Sequence, residues 1–176
     1  MRRRFTILAA TLAALTVMGF GLAVGASAKA DTITTVRTLT ARFHSLEQAK
    51  QAGYVPFYVC AEQPNVGTMG QHYVNFDLVG DPTIDPLKPE ALVYEPQADG
   101  SLKLVALEWV RVGLETPSAV PTVLGQPMLY RTAPNRYGIE PGFYERHYWL
   151  YKANPLGAFS DWNPNVSCRG NGDNGG

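Results

Sequence analysis

Hydrophobic and polar residues alternate along the segment LKLVALEWVRV, residues 102–112, with the period of two that is typical of a β-strand. The segment ALVYEP, residues 91–96, precedes it, and the turn sequence Asp99-Gly100 lies between the two. The pattern therefore predicts an antiparallel hairpin. Strict alternation would place on one face Leu102, Leu104, Ala106, Glu108, Val110 and Val112.

A second alternating segment runs from residue 143 to residue 151 and predicts another strand. One face would carry Phe143, Glu145, His147, Trp149 and Tyr151. The pairs Asn154-Pro155 and Asn163-Pro164 then predict a looped passage that folds back over the sheet.

A helix is predicted near the start of the domain, because Ser45 and Gln48 form a capping box and Gly53 provides a stop signal. The threonine-rich residues 31–40 instead favour an extended lead-in or an edge strand. The predicted fold is α+β and mainly antiparallel β, with one short N-terminal helix packed on a curved sheet or partly open barrel.

The first 30 residues have the pattern of a secretory signal peptide: three arginines, a long apolar run and two A-x-A sites. The arginines also loosely fit a twin-arginine signal, so the export route stays open. We expect a signal peptide over 1–30, a single globular domain over 31–168 and a disordered tail over 169–176. The expected location is secreted or in the cell envelope, with no membrane span after cleavage.

Charge limits the classes of partner. Cleavage after residue 30 would remove four basic residues and no acid, leaving 11 basic and 15 acidic residues and a net charge of −4. Without a basic cluster, we expect neither nucleic acid nor an anionic membrane surface as partner. A small molecule or an envelope component fits better.

The chain has two cysteines, Cys60 and Cys168. In an exported protein an even pair predicts a disulfide, which here would connect the start of the domain to its end.

Three titratable residues lie in strand-like segments. Glu108 is a carboxylate in an apolar row, where it needs a cation, a metal, a hydrogen-bond donor or a proton. His72 follows Gly67 and Gly70, which give a ligand open access to the imidazole. His147 shares its predicted face with aromatic residues.

The motifs GxMGxHYVN (67–75), PEALVYEP with LVALEW (89–109), and HYWLYxxNPxGxFxxWNPxVSC (147–168) resemble a family of small exported bacterial proteins. The resemblance covers about residues 40 to 168. It implies no activity, but it places His72, Glu108 and His147 within the three most recognisable motifs.

Two histidines and a glutamate on three strands are the donor set of a 2-His-1-carboxylate metal site. Zn, Fe, Mn and Cu would suit these donors about equally. In one alternative the histidines bond to backbone and Glu108 pairs with Arg146 or Arg111. In another, Glu108 and a histidine carry out acid/base chemistry without a metal.

A different class of function is a metal-free ligand-binding or envelope-interaction module with an aromatic pocket. Its candidate lining residues are Met69, Tyr73, Asn75, Trp109, Tyr148 and Trp149. The sequence leaves enzymatic activity undecided, and no serine has a G-x-S-x-G setting.

Overall fold

The computed structural model describes residues 20–113 and 120–171 of the chain. A six-stranded antiparallel sheet, curled into a half barrel, has the strand order β1-β2-β3-β4-β8-β7, and β5 and β6 form a separate two-stranded ribbon. The strands are β1 Val55–Gln63, β2 Gly67–Val74, β3 Ala91–Pro96, β4 Leu102–Val112, β5 Thr122–Val123, β6 Gln126–Pro127, β7 Leu129–Thr132 and β8 Gly142–Tyr148.

Helices precede the sheet. They are α1 Phe20–Thr40, a 3-10 turn Ala41–His44 and α2 Leu46–Gln51, and a one-turn helix α3 Phe76–Val79 follows β2. The predicted short helix is confirmed as α2. The Ser45 side chain accepts a hydrogen bond from the backbone N–H of Gln48, and Ala49 is fully buried in the main core. The α+β class and the curved sheet are confirmed as well.

The expectation of an extended segment over residues 31–40 is wrong, because these residues form the second half of α1. Their threonine hydroxyls donate to carbonyls four residues back, as Thr35 does to Asp31, so the helix accommodates them. Packing then stabilises the helix. Val36 is fully buried in the main core, and the Arg37 guanidinium donates to the Leu150 carbonyl.

The predicted hairpin is confirmed as β3 and β4, but the expected strict alternation along β4 is wrong at Leu104. A bulge shifts the register between Val93, which pairs with Ala106, and Tyr94, which pairs with Leu104. The extra residue, Val105, moves the residues before it to the opposite face. Leu104 therefore packs with the helices, whereas Ala106 and Glu108 lie on the other side.

The two faces of the sheet differ in composition. The helix-side face holds the main core, whose buried members include Val36, Phe43, Leu92, Tyr94, Leu107, Trp109 and Tyr144. The other face carries small residues at Ala91, Val93 and Ala106, together with buried polar groups. The chain after β8 folds back here: Trp149 and Val166 pack on Val93 and Ala106.

Both chain ends extend beyond the described part. Residues 1–19 of the predicted signal peptide lie outside the described residues, and residues 20–30 belong to α1. At the other end, Arg169–Asn171 form a 3-10 turn, while residues 172–176 lie outside the described residues. Within the described ranges, no helix combines the length and apolarity needed to cross a bilayer.

The predicted disulfide is confirmed. Cys60 and Cys168 are bridged, with Cα atoms 5.7 Å apart and a sequence separation of 108 residues. The bond attaches the edge strand β1 to the chain segment that covers the small-residue face.

Replacing both cysteines, as Cys60→Ser with Cys168→Ser, should lower the free energy of unfolding by about 2 to 4 kcal/mol, because a long loop would no longer restrict the unfolded chain. Urea unfolding of the oxidised parent and the double variant measures the difference. An unchanged midpoint would contradict the expectation, and the parent under reducing conditions serves as a control that keeps both thiols.

Candidate metal centre

Three neighbouring strands place the candidate ligands on the small-residue face. Glu108 on β4 lies directly opposite His147 on β8. His72 on β2 pairs with Val93 on β3, so one strand separates it from β4. Because the sheet curls and the intervening side chains are small, His72 reaches across β3 to the other two.

The side chains converge. His72 Nε2 lies 3.1 Å from His147 Nε2 and 3.4 Å from Glu108 Oε2, and His147 Nδ1 lies 3.6 Å from Glu108 Oε1. Their side chains are only 6% (His72), 6% (Glu108) and 1% (His147) exposed. The structure therefore brings together all three residues predicted from the sequence, and they can hold one metal ion.

Burial sets the protonation of the imidazoles. It lowers the pKa of His72 to about 3, with the neighbouring His147 adding to the effect. It also lowers the pKa of His147 to about 3, helped by the charges of Arg131 and Arg146. Both rings are neutral at physiological pH, which is the form that coordinates metals.

The carboxylate shifts in the opposite direction. Burial, followed by the charge of Glu145, raises the pKa of Glu108 well above its usual range. Burial also raises the pKa of the neighbouring Glu145, whose Arg131 partner favours the ionised form, so Glu108 is the carboxyl group that more readily keeps a proton. Glu108 therefore keeps its proton when no cation is near, and loses it when its carboxylate binds an ion.

A glycine orients His72. The Gly70 backbone interacts favourably with the His72 ring, whose Nε2 faces His147 and Glu108. Gly70 has φ of +106°, and a Cβ there would meet the Tyr94 carbonyl oxygen at 2.7 Å. The glycine is thus needed for close packing of β2 on β3, rather than for ligand access as the sequence suggested.

An outer layer of charge surrounds the triad. Arg131 Nε lies 2.5 Å from Glu145 Oε1, and Arg131 Nη2 also bonds Asp161 Oδ2. The other Asp161 oxygen, Oδ1, lies 3.9 Å from His147 Nδ1. Both of these atoms are buried and have no hydrogen-bond partner among the described residues.

Sequence reasoning missed Asp161 and Arg131. Asp161 lies in the loop after β8, and no spacing rule connects it to His147. Arg131 lies on the edge strand β7, which pairs with β8 and sets Leu129 opposite Glu145. The available signal was that Arg131 precedes a strand carrying Glu145. The register of β7 against β8, which brings the two together, could not be read from the sequence.

The alternative pairing of Glu108 with Arg146 or Arg111 does not occur. Arg146 donates to the carbonyls of Pro127 and Phe159. Within the described ranges, the basic side chains within 4 Å of the Glu108 carboxyl group are the two neutral histidines.

The predicted pocket residues lie in several places. Met69 lines a cavity of about 230 Å³ together with Tyr137 and Trp162. Trp149 stacks on His147 with ring centroids 6.4 Å apart. The rest lie elsewhere: Tyr73 and Trp109 in the helix-side core, Tyr148 against Phe159, and Asn75 at the N-cap of α3.

Removing the Arg131 charge should destabilise the fold, because Glu145 and Asp161 would remain largely buried without their cation. We expect Arg131→Met to lower the free energy of unfolding by about 2 to 3 kcal/mol, measured by urea unfolding at pH 7. The control is Lys88→Met, which removes an exposed pair with Asp85 and should cost less than about 1 kcal/mol. Equal effects in the two variants would contradict this account.

No protein-family model, curated protein or solved structure matches this chain significantly. Any functional conclusion therefore depends on the chemistry of the centre itself.

Proposed function

We propose that this protein binds one divalent transition-metal ion through His72 Nε2, His147 Nε2 and a Glu108 carboxylate oxygen. The spacing of the donor atoms is the observation that supports it. Ligands at 2.0 to 2.2 Å from a tetrahedral ion lie about 3.3 to 3.6 Å apart, and those of an octahedral ion about 2.8 to 3.1 Å apart. The distances from His72 Nε2 to His147 Nε2, 3.1 Å, and to Glu108 Oε2, 3.4 Å, lie in this range, and one ligand atom from each of the three residues lies within 4.8 Å of the others.

Charge also favours a divalent ion. When Glu108 ionises, three carboxylates (Glu108, Glu145 and Asp161) lie close together, and Arg131 bridges only the last two. The added negative charge is costly in a buried position. A divalent cation beside Glu108 offsets it.

The groups behind the ligands fit the same role. The Gly70 backbone interacts favourably with the His72 ring, and Asp161 lies beside His147 Nδ1. A hydrogen-bond acceptor behind a ligating imidazole orients the ring and raises its basicity, and a closer approach of Asp161 Oδ1 to His147 Nδ1, now 3.9 Å away, would supply one. A second group, Glu145, His147 and Asp161, also has ligand spacing, but Arg131 already bridges its two carboxylates, so we assign it to the outer layer.

Two nitrogen donors and one oxygen donor suit Zn, Fe, Mn or Cu, and three protein ligands leave at least one position open on the ion. The disulfide is consistent with an oxidising, extracytoplasmic compartment. We therefore infer an exported metal protein of the secreted fraction or the cell envelope.

A second candidate function is metal-free ligand binding in the 230 Å³ cavity, which combines Met69, Tyr137 and Trp162 with Arg136. This cavity is smaller than typical pockets for drug-sized ligands. If this cavity is the functional site, ligand binding should persist in full after complete metal removal. If the metal centre is the functional site, chelation should alter the protein.

Protein purified without chelator should contain about one metal ion per chain, by elemental analysis. His72→Ala and His147→Ala should each abolish stoichiometric metal binding, because each removes one of three protein ligands. Glu108→Gln should weaken binding less, since its amide oxygen still coordinates but carries no charge.

The exposed His44 provides a matched control, and His44→Ala should leave the metal content unchanged. Parent protein that takes up no metal after incubation with Zn, Fe(II), Mn or Cu would refute the proposal. Equal loss in the His44 variant would show that the change in metal content is not specific to the centre.

Below the raised pKa of Glu108, metal affinity should rise by about tenfold per pH unit, because one proton must leave Glu108 before the ion binds. The pKa of Glu108 is raised, so the proton competes until the pH exceeds that pKa and the dependence then levels off. The pKa values of both histidines are about 3, so neither ring takes up a proton in this range.

Competition with a chromophoric chelator measures the slope of log Kd against pH. Glu108→Gln should give a much smaller slope, since the variant has no such proton to release. A slope of two or three protons between pH 5 and 6.5 would mean that the histidines titrate near their ordinary pKa, contrary to their burial.

A further inference from the structure

A small apolar chamber lies directly against the candidate metal centre. Its volume is about 50 Å³, and His72, Glu108 and Glu145 all contribute to its lining. The remaining lining is aliphatic or aromatic and includes Val74, Phe76, Val110, Val112, Ile139 and Phe143. Apart from Tyr137, whose hydroxyl interacts with Arg136, the polar lining groups belong to the metal centre.

The size of the chamber restricts what can enter. A cavity of about 150 Å³ accommodates benzene, so a chamber of about 50 Å³ suits a molecule of two or three heavy atoms. Away from the metal centre its walls are mostly apolar, which favours a small apolar molecule there.

The chamber has a route to solvent. Phe76 is 52% exposed and Val112 is 36% exposed, and both also line the chamber. They therefore form an apolar rim at the surface, at the α3 side of the half barrel. A molecule entering there meets apolar side chains first and the centre last.

Charge restricts the ligand independently of size. Among the described residues, the chamber lining contains the carboxyl groups of Glu108 and Glu145 but no lysine or arginine. An anionic ligand there would be buried beside two carboxyl groups without a cationic side chain, whereas a neutral ligand adds no charge.

We propose that the chamber delivers a small uncharged molecule of two or three heavy atoms, of the class of dioxygen or nitric oxide, to the open coordination position of the ion. This inference rests on the proposed metal-binding function and specifies the ligand class for the same centre. It concerns binding, with no oxidation or transfer step.

The test uses the full-length protein loaded anaerobically with Fe(II), and nitric oxide is the probe. We expect about one iron–nitrosyl unit per iron, observed by absorption and electron paramagnetic resonance. Val110→Phe should fill the chamber and weaken nitric oxide binding by about tenfold or more while the iron content stays unchanged. Val59→Phe adds the same group at a position 62% exposed and outside the chamber lining, and it should behave as the parent.

Iron content and nitrosyl formation separate the two hypotheses. Parent protein that takes up no iron or other metal refutes the proposed function, and the ligand site with it. Fully loaded parent protein that forms no nitrosyl, or a Val110→Phe variant that binds nitric oxide as the parent does, overturns the ligand site alone. If Val110→Phe does not take up iron, Val112→Phe at the rim replaces it and should slow nitric oxide association.

Azide tests the charge argument on Co(II)-loaded protein. The anion should leave the visible absorption of the cobalt unchanged, because it would add uncompensated charge to the centre. A spectral change that saturates with azide would overturn the restriction to neutral ligands.

Discussion

The antiparallel pairing of β4 with β8 fixes Glu108 opposite His147, and the rest of the buried centre depends on that register. A shift of β8 by one residue would turn His147 toward the helix-side core and separate it from Glu108. The curl of the sheet then brings in His72 from β2, two strands away. Small side chains on β3 and the close approach permitted by Gly70 make that curl possible.

Burying so many titratable groups constrains their protonation as a set. In the absence of an ion, the histidines are neutral, Glu108 holds a proton, and Arg131 compensates Glu145 and Asp161. The arrangement satisfies most of the charges but leaves His147 Nδ1 and Asp161 Oδ1 without hydrogen bonds in the described structure. An ion that displaces the Glu108 proton would offset the charge of the carboxylate it leaves. The spacing of the donor atoms and the charge of the centre therefore both favour metal binding.

Local signals in the sequence were sufficient for several features. The Asp99-Gly100 turn and the alternation around it predicted the β3–β4 hairpin, and the Ser45 capping box predicted α2. The cysteine pair predicted the disulfide. The three ligand candidates were also found from sequence, because a carboxylate in an apolar row and histidines in strands are unusual where no partner is visible.

Features decided by tertiary packing were not predictable. Threonine-rich residues 31–40 favour strands locally, yet Val36 packs into the core as part of a helix. The bulge at Val105 depends on the partner strand. Asp161 reaches the centre from a loop whose course no periodicity encodes. The expected aromatic pocket also ignored alternation, since Tyr73 follows His72 and so faces the opposite side of β2.

The chain positions of the ligands have a consequence for how the protein folds. His72 and His147 are 75 residues apart, and Asp161 comes still later. The hairpin of β3 and β4 can form from local contacts, but β8 joins β4 only after the long connection between them closes, a slow kind of event. A chain that emerges from its N-terminus presents β2 and β4 early, with Glu108 unpaired across the sheet. The complete centre therefore exists only late in folding, when nearly the whole chain is available.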